Sequence, residues 1–363
     1  MSNNMRPQVI WIEGRCYRSD DSGIPFESQY LEHDLYENDT STQAEESEAS
    51  EDEVSVTMVD ATRFKASFHV SKHYFGAIIG KKGAIKMRIE RETRTDIKIP
   101  RPGQSGDIIV FGPNETSVKT AFRRINQIVI SSRSKQKPTH FISIPMNSIQ
   151  IMESYKKFKE TVLQDLSSRG LDETLFISPH KLHITVGIMC LMDQEERSRA
   201  SEILTEAKDS VVMPILNGHL PLKIRLKGLN YMSDAPQEMN VLYGKVQEEG
   251  TSSGVLQTLA DELVKFFSAR GFMKENEFGT GHVKLHVTLL NTRYKRKFLE
   301  RQNHSEDTPK RERISFDGTE ILEKYRDYDF GVADVTDIHL SQMNESGELN
   351  DEYYNATCII NLK

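Results

Sequence analysis

Apolar and polar residues alternate at period two in two stretches that nearly repeat each other, Lys181-Leu-His-Ile-Thr-Val186 and Lys284-Leu-His-Val-Thr-Leu289. Alternation of this kind, with β-branched residues, predicts strands. In each stretch the His and the Thr stand two apart and leave the same face. Leu182, Ile184 and Val186, and likewise Leu285, Val287 and Leu289, turn toward a core. Residues 139–146 alternate as an earlier strand. A helix is predicted over 148–169, with Ile149, Met152, Phe158, Val162, Leu163 and Leu166 inward and a stop near Gly170. Asp193 suits the N-cap of a helix running to about Asp209, ahead of Pro214. Residues 222–229 and 241–246 alternate as strands. Residues 252–270 carry Leu256, Leu259, Leu263, Phe266 and Phe267 at helical spacing before Gly271, and residues 330–343 and 353–362 close as strands. Strand, helix and motif strand therefore occur twice.

Residues 63–132 follow a different rhythm: strand, helix, loop, helix, strand, strand, helix. Ile85 and Ile89, with Met87 nearby, give a core-facing helix; residues 95–100 alternate and stop at Pro100; Asn114 caps a helix to about Ser131, with Val118, Phe122, Ile125, Ile128 and Val129 inward. Between the first two helices lies Gly80-Lys-Lys-Gly83. Two glycines let a backbone turn tightly against a sugar-phosphate, the helix that follows offers free amides to phosphate, and the lysines add charge. Ile78, Ile79, Ile85 and Ile97 are candidates for an apolar groove beside it.

Charge divides the chain more sharply than its total suggests. The net charge is -7, but residues 19–60 hold fourteen acidic and no Lys or Arg residues, whereas residues 61–137 hold seventeen basic against five acidic, a net of +12. The acidic, serine-rich stretch has too little apolar surface to offset its ordering entropy and is expected to be disordered, a solvated linker. Residues 1–18 hold the only Trp, Trp11. They suit a short linear motif that docks on a partner, a strand packed on its own protein, or a loose end. Cys16, Cys190 and Cys358 are too scattered for a metal site or a disulfide framework, which favours a reducing compartment. No signal peptide or membrane-length apolar run is visible, so a soluble nuclear or cytosolic protein without a membrane partner is expected.

Two His-x-Thr strands facing each other suit metal-free chemistry on a phosphodiester. With an ordinary imidazole pKa near ~6.5, one ring takes a proton from the nucleophile while the other gives one to the leaving oxygen. The Thr hydroxyls are placed to hold non-bridging oxygens. His282 lies four before His286, but no third ligand stands at useful spacing, so no metal and no cofactor is expected. His339 is expected to be structural. Arg293-Tyr-Lys-Arg-Lys297 and Lys310-Arg-Glu-Arg313 flank a polar loop that is either a basic lip for an RNA backbone, a nuclear address or a solvated insertion.

The doubled His-x-Thr-aliphatic motif resembles that of the two-histidine, LigT-like phosphoesterases. The resemblance implies His183, Thr185, His286 and Thr288 as catalytic residues for hydrolysis of cyclic phosphates or trimming of RNA ends. The 61–132 segment resembles a type I KH domain (βααββα), with Gly80, Lys81, Lys82 and Gly83 as its GXXG loop and Ile79 and Ile97 in the groove where about four unstacked bases lie. The expected fold is therefore α+β: residues 1–18, an acidic disordered segment 19–60, a KH domain 61–132, a linker 133–138 that tethers bound RNA near the second module, and a bilobal phosphoesterase domain 139–363 with antiparallel sheets. The implied ligand is single-stranded RNA, with single-stranded DNA left open. The module order further resembles a nuclear subunit of a helicase-containing complex in transcription coactivation and alkylation repair. A catalytically inactive RNA-binding adaptor is the alternative.

Overall fold

A computed structural model describes residues 9–12, 15–18, 54–60, 62–101, 104, 106–250, 254–274, 281–302, 314–343 and 352–362. Residues 1–49 and 50–363 form separate units. In the first, β1 (Val9–Ile12) pairs antiparallel with β2 (Arg15–Arg18). The expectation of disorder over 19–53 and most of the polar loop around 303–313 lie outside the described residues.

The second unit opens with β3 (Val56–Asp60), β4 (Arg63–Phe68), α1 (Phe75–Ile79), α2 (Ala84–Thr93), β5 (Asp96–Lys98), β6 (Ile108–Gly112) and α3 (Glu115–Arg133). The sheet order is β3-β4-β6-β5, all antiparallel. This is the expected βααββα chain with one added edge strand. The acidic segment thus ends before residue 54 rather than at 60: Val54 and Val56 alternate out of it and pack on the KH core. Asn114 caps α3 by accepting from the Ser117 amide at 2.8 Å. Val118, Ala121, Ile125 and Val129 fill the core, and Phe122 stacks edge-on against Phe68. Met87, expected near the core, is 56% exposed.

The remainder forms β7 (His140–Pro145), α4 (Ile149–Asp165), β8 (His183–Met189), α5 (Gln194–Ala207), α6 (Met213–Leu216), β9 (Lys223–Tyr231), β10 (Val241–Glu248), α7 (Val255–Ala269), β11 (His286–Asn291), α8 (Thr292–Gln302), α9 (Thr319–Tyr325), β12 (Asp329–Asp334), β13 (Asp337–Gln342) and β14 (Ala356–Asn361). Eight strands make one antiparallel sheet in the order β12-β9-β10-β11-β8-β7-β13-β14. The two expected lobes are its halves, β8-β7-β13-β14 and β11-β10-β9-β12, which meet at the two motif strands. Ile184, Val186, Val287 and Leu289 are fully buried with residues of α4, α5 and α7, so the His and Thr side chains take the other face.

Some boundaries differ from the sequence expectation. α4 ends at Asp165, and its inward stripe is Ile151, Tyr155, Phe158 and Val162, while Ile149 is 71% exposed. Pro214 does not stop a helix; it sits in the first turn of α6, where its missing N–H is harmless. Arg293–Lys297, expected beside a polar loop, lie on a helix, α8, for which the sequence reading gave no element.

The KH domain is docked directly on the sheet domain. Arg133, expected in the linker, is the last residue of α3. Its guanidinium meets Glu196 Oε1 at 2.6 Å, donates to the Gly271 carbonyl and lies 4.6 Å from the Phe272 ring centroid. His69 Nε2 meets Asp193 Oδ2 at 3.1 Å, and Met192 packs on the KH core.

Candidate active site

The motif strands β8 and β11 pair antiparallel through Val287 and Ile184. That pairing sets the two motifs side by side in opposite chain directions, with His183 level with Thr288 and Thr185 level with His286 on the face turned away from the core. Each motif strand also carries a bulge at the residue after its Thr. Against β7 the register skips Val186, and against β10 it skips Leu289. Bulges bend a strand and re-aim its side chains. The matched pair bends both halves at the same place in the motif.

The two histidines are held the same way. His183 Nδ1 lies 2.7 Å from the Lys181 carbonyl, and His286 Nδ1 lies 2.6 Å from the Lys284 carbonyl. A carbonyl only accepts, so both Nδ1 atoms carry the proton and both neutral rings present a bare Nε2. Among the described residues neither Thr185 nor Thr288 gives its hydroxyl to a protein partner. Burial pushes the His183 imidazole down to about 4; the Lys181 carbonyl opposes this, and the charge of His286 adds to it. Burial also lowers His286, opposed by the Lys284 carbonyl and aided by the Lys284 ammonium. Both rings are thus neutral at pH 7 in the free protein, and an anion in the cleft would raise both pKa values.

Tyrosines that no local sequence signal marks complete the walls. His183 is packed by Phe141 and Tyr354, with ring centroids at 5.0 and 5.2 Å, and by Tyr353 at 6.5 Å. The Tyr353 hydroxyl donates to Ser143 Oγ at 2.8 Å, and Tyr354 bonds Tyr294 of α8. His286 stacks edge-on with Tyr243 at 5.2 Å. Sequence reading assigned Tyr353 and Tyr354 only to a closing strand. His339 pairs with Asp337, on the far side of Tyr353, and His282 Nδ1 with Asp261 Oδ2 at 2.8 Å.

In the KH domain, Gly80 and Gly83 take φ of 71° and 82°, and a Cβ on Gly80 would lie 2.6 Å from Ile85 Cγ1. Gly83 opens α2 without a side-chain cap; the Ala84 amide bonds the Lys81 carbonyl, and the amides that follow it in the first turn are left for a phosphate. Lys81 and Lys82 are exposed beside them. Ile79, 36% exposed, and the half-buried Ile85 are open to a ligand. Ile78 and Ile97 are fully buried, so Ile97 supports the groove from behind instead of facing bases.

The profile of the AKAP7 2'5' RNA ligase-like domain matches residues 138–362, and that of the KH domain matches residues 65–127. Activating signal cointegrator 1 complex subunit 1 of Mus musculus is 32% identical over 346 residues, covering 93% of this chain and 94% of its own length. An uncharacterized protein of Schizosaccharomyces pombe is 27% identical over 156 residues, covering 42% of this chain and 66% of that one. The solution structure of the first type I KH domain of human Vigilin aligns at 25% identity with a TM-score of 0.21, covering 25% of this chain and 96% of that one.

Proposed function

We propose, from the premise that this chain belongs to the AKAP7 2'5' RNA ligase-like family, that it is an RNA-binding phosphoesterase acting on RNA ends or cyclic phosphates without a metal. The GXXG loop holds single-stranded RNA. A phosphodiester enters the cleft between β8 and β11. One neutral imidazole takes at Nε2 a proton from the attacking group, water for a cyclic phosphate or a ribose 2′-hydroxyl for a linear linkage, the other, protonated, gives one to the leaving oxygen, and Thr185 and Thr288 donate to the non-bridging oxygens. The observation that supports this reading best is the duplicated lock of each Nδ1–H onto the carbonyl two residues earlier, on two neighbouring antiparallel strands. By its likeness to the mouse activating signal cointegrator 1 complex subunit 1, the chain is further proposed to serve as a complex subunit; its action in the nucleus beside a helicase is part of the same proposal.

The test is turnover by purified protein on RNAs ending in a 2′,3′-cyclic phosphate, a 2′-5′ linkage or a linear 3′ end, with product mass as readout. The expected result is conversion of at least one end and its loss in His183→Ala or His286→Ala with RNA affinity kept. If every end stays intact while the GXXG lysines still govern binding, the adaptor role replaces the enzymatic one.

A further inference from the structure

The cleft carries more positive charge than one phosphodiester requires, and that charge is duplicated with the motif. Lys181 and Lys284 each stand two residues before a catalytic-site His. The Lys181 ammonium lies over the Tyr354 ring, 5.4 Å from its centroid, and that ring packs edge-on against His183. The Lys284 ammonium lies over the Tyr243 ring at 4.9 Å, and that ring packs edge-on against His286. Each half therefore repeats the same triple of lysine, tyrosine and histidine. A cation over an aromatic face is restrained but keeps its N–H groups for a ligand. Among the described residues neither lysine forms an ion pair with a carboxylate. Arg293, at the start of α8, is likewise without an acidic partner and is close enough to act on Tyr294 and Tyr354.

A lone phosphodiester bears a single negative charge, and the two imidazoles and two hydroxyls already suffice to hold it. Two lysines, each held over the tyrosine that packs on one of the histidines, add positive charge to both halves of the cleft. We propose that Lys181 and Lys284 bind the phosphates that flank the reacting one, so that the site takes an oligonucleotide with a phosphate neighbour on each side in preference to a mononucleotide. This rests on the proposed phosphoesterase reading and narrows its substrate to linkages near the end of a strand. Arg293 adds to the cationic surface on the His183 side.

The experiment measures equilibrium binding rather than cleavage, so that its failure and the failure of catalysis are told apart. The full chain carrying Lys81→Asp and Lys82→Asp, which silences the KH loop, is titrated with a 2′-O-methyl trinucleotide bearing phosphates at both ends and with 3′-AMP. The His183 and His286 imidazole resonances report occupancy. The trinucleotide is expected to bind at least tenfold more tightly than 3′-AMP, and Lys181→Ala or Lys284→Ala to weaken it about tenfold each, lowering the salt slope by roughly 0.7 per lost contact. The same substitutions should weaken 3′-AMP less than threefold. Lysine-dependent trinucleotide binding without turnover of any RNA would leave this inference standing while removing the enzymatic reading. Equal affinity for the two ligands, or equal losses for both in the lysine variants, overturns it.

Discussion

The ion pair between Arg133 and Glu196 offers a quantitative test of the docked KH domain. The side chains are 11% and 6% exposed and meet at 2.6 Å. Arg133→Met removes the cation but leaves the Glu196 carboxylate buried, still accepting the Met192 amide at 2.7 Å. Removing one partner of a buried pair destabilises by about 3–5 kcal/mol, because the remaining charge has lost its counterion. The lost bond to the Gly271 carbonyl and the lost stacking on Phe272 act in the same direction. For a unit of this size the melting midpoint should fall on the order of 10 °C. Glu196→Gln alone strands the guanidinium with a similar loss. The double variant Arg133→Met/Glu196→Gln leaves no unpaired charge and should be more stable than the sum of the singles by at least ~1–2 kcal/mol. Urea and calorimetric unfolding of the four proteins give the cycle, and the calorimetric trace should split into two transitions where the domains separate. Single variants that each lose less than about 1 kcal/mol, or strictly additive losses, would show that the pair does not hold the domains together.

Three further outcomes are expected. The Tyr155 hydroxyl, fully buried, donates to the Ile177 and Leu289 carbonyls at 3.1 and 2.8 Å and ties α4 to the second motif strand; Tyr155→Phe should lose about 1–3 kcal/mol in chemical denaturation. His140 is buried, and burial with the charge of Arg197 lowers its pKa to about 4. The folded state then binds fewer protons than the unfolded one, so its contribution falls as pH drops from about 6.5 toward 4. At pH 5 the loss is about 2 kcal/mol, and His140→Gln should remove that part of the pH dependence of stability. In the GXXG loop, Lys81→Asp/Lys82→Asp should leave the circular-dichroism spectrum intact and weaken single-stranded RNA binding more than tenfold, with a flatter salt dependence; an unchanged affinity would remove the loop from RNA binding.

The motif strands were legible because one face is wholly apolar and the other carries chemistry, so period two was unbroken through His183–Thr185 and His286–Thr288. The caps of α3 and α5 were legible because Asn114 and Asp193 act within one helical turn. Long-range features were not. The bulges at Val186 and Leu289 arise from pairing with β7 and β10 and leave no local trace. Tyr353, Tyr354, Tyr243 and Tyr294 reach the cleft from three different elements. Tyr155 was passed over as core because its hydroxyl hides a ring that is fully buried, whereas Ile149 overhangs the start of α4. β3 was lost in its acidic surroundings. α8 leaves no clear periodic signal because its Lys, Arg, Glu and Gln residues favour helix without supplying a broad apolar stripe.

The central claim is that the two imidazoles act as one device on one phosphorus atom. The most direct measurement is the single-turnover rate of the wild type, His183→Ala, His286→Ala and the double variant on whichever RNA end the wild type converts. Acid and base that work in the same step should each be worth about 10²–10⁴-fold, and the double variant should be scarcely slower than either single. Independent, multiplying losses, or a double variant that keeps the wild-type rate, would contradict it.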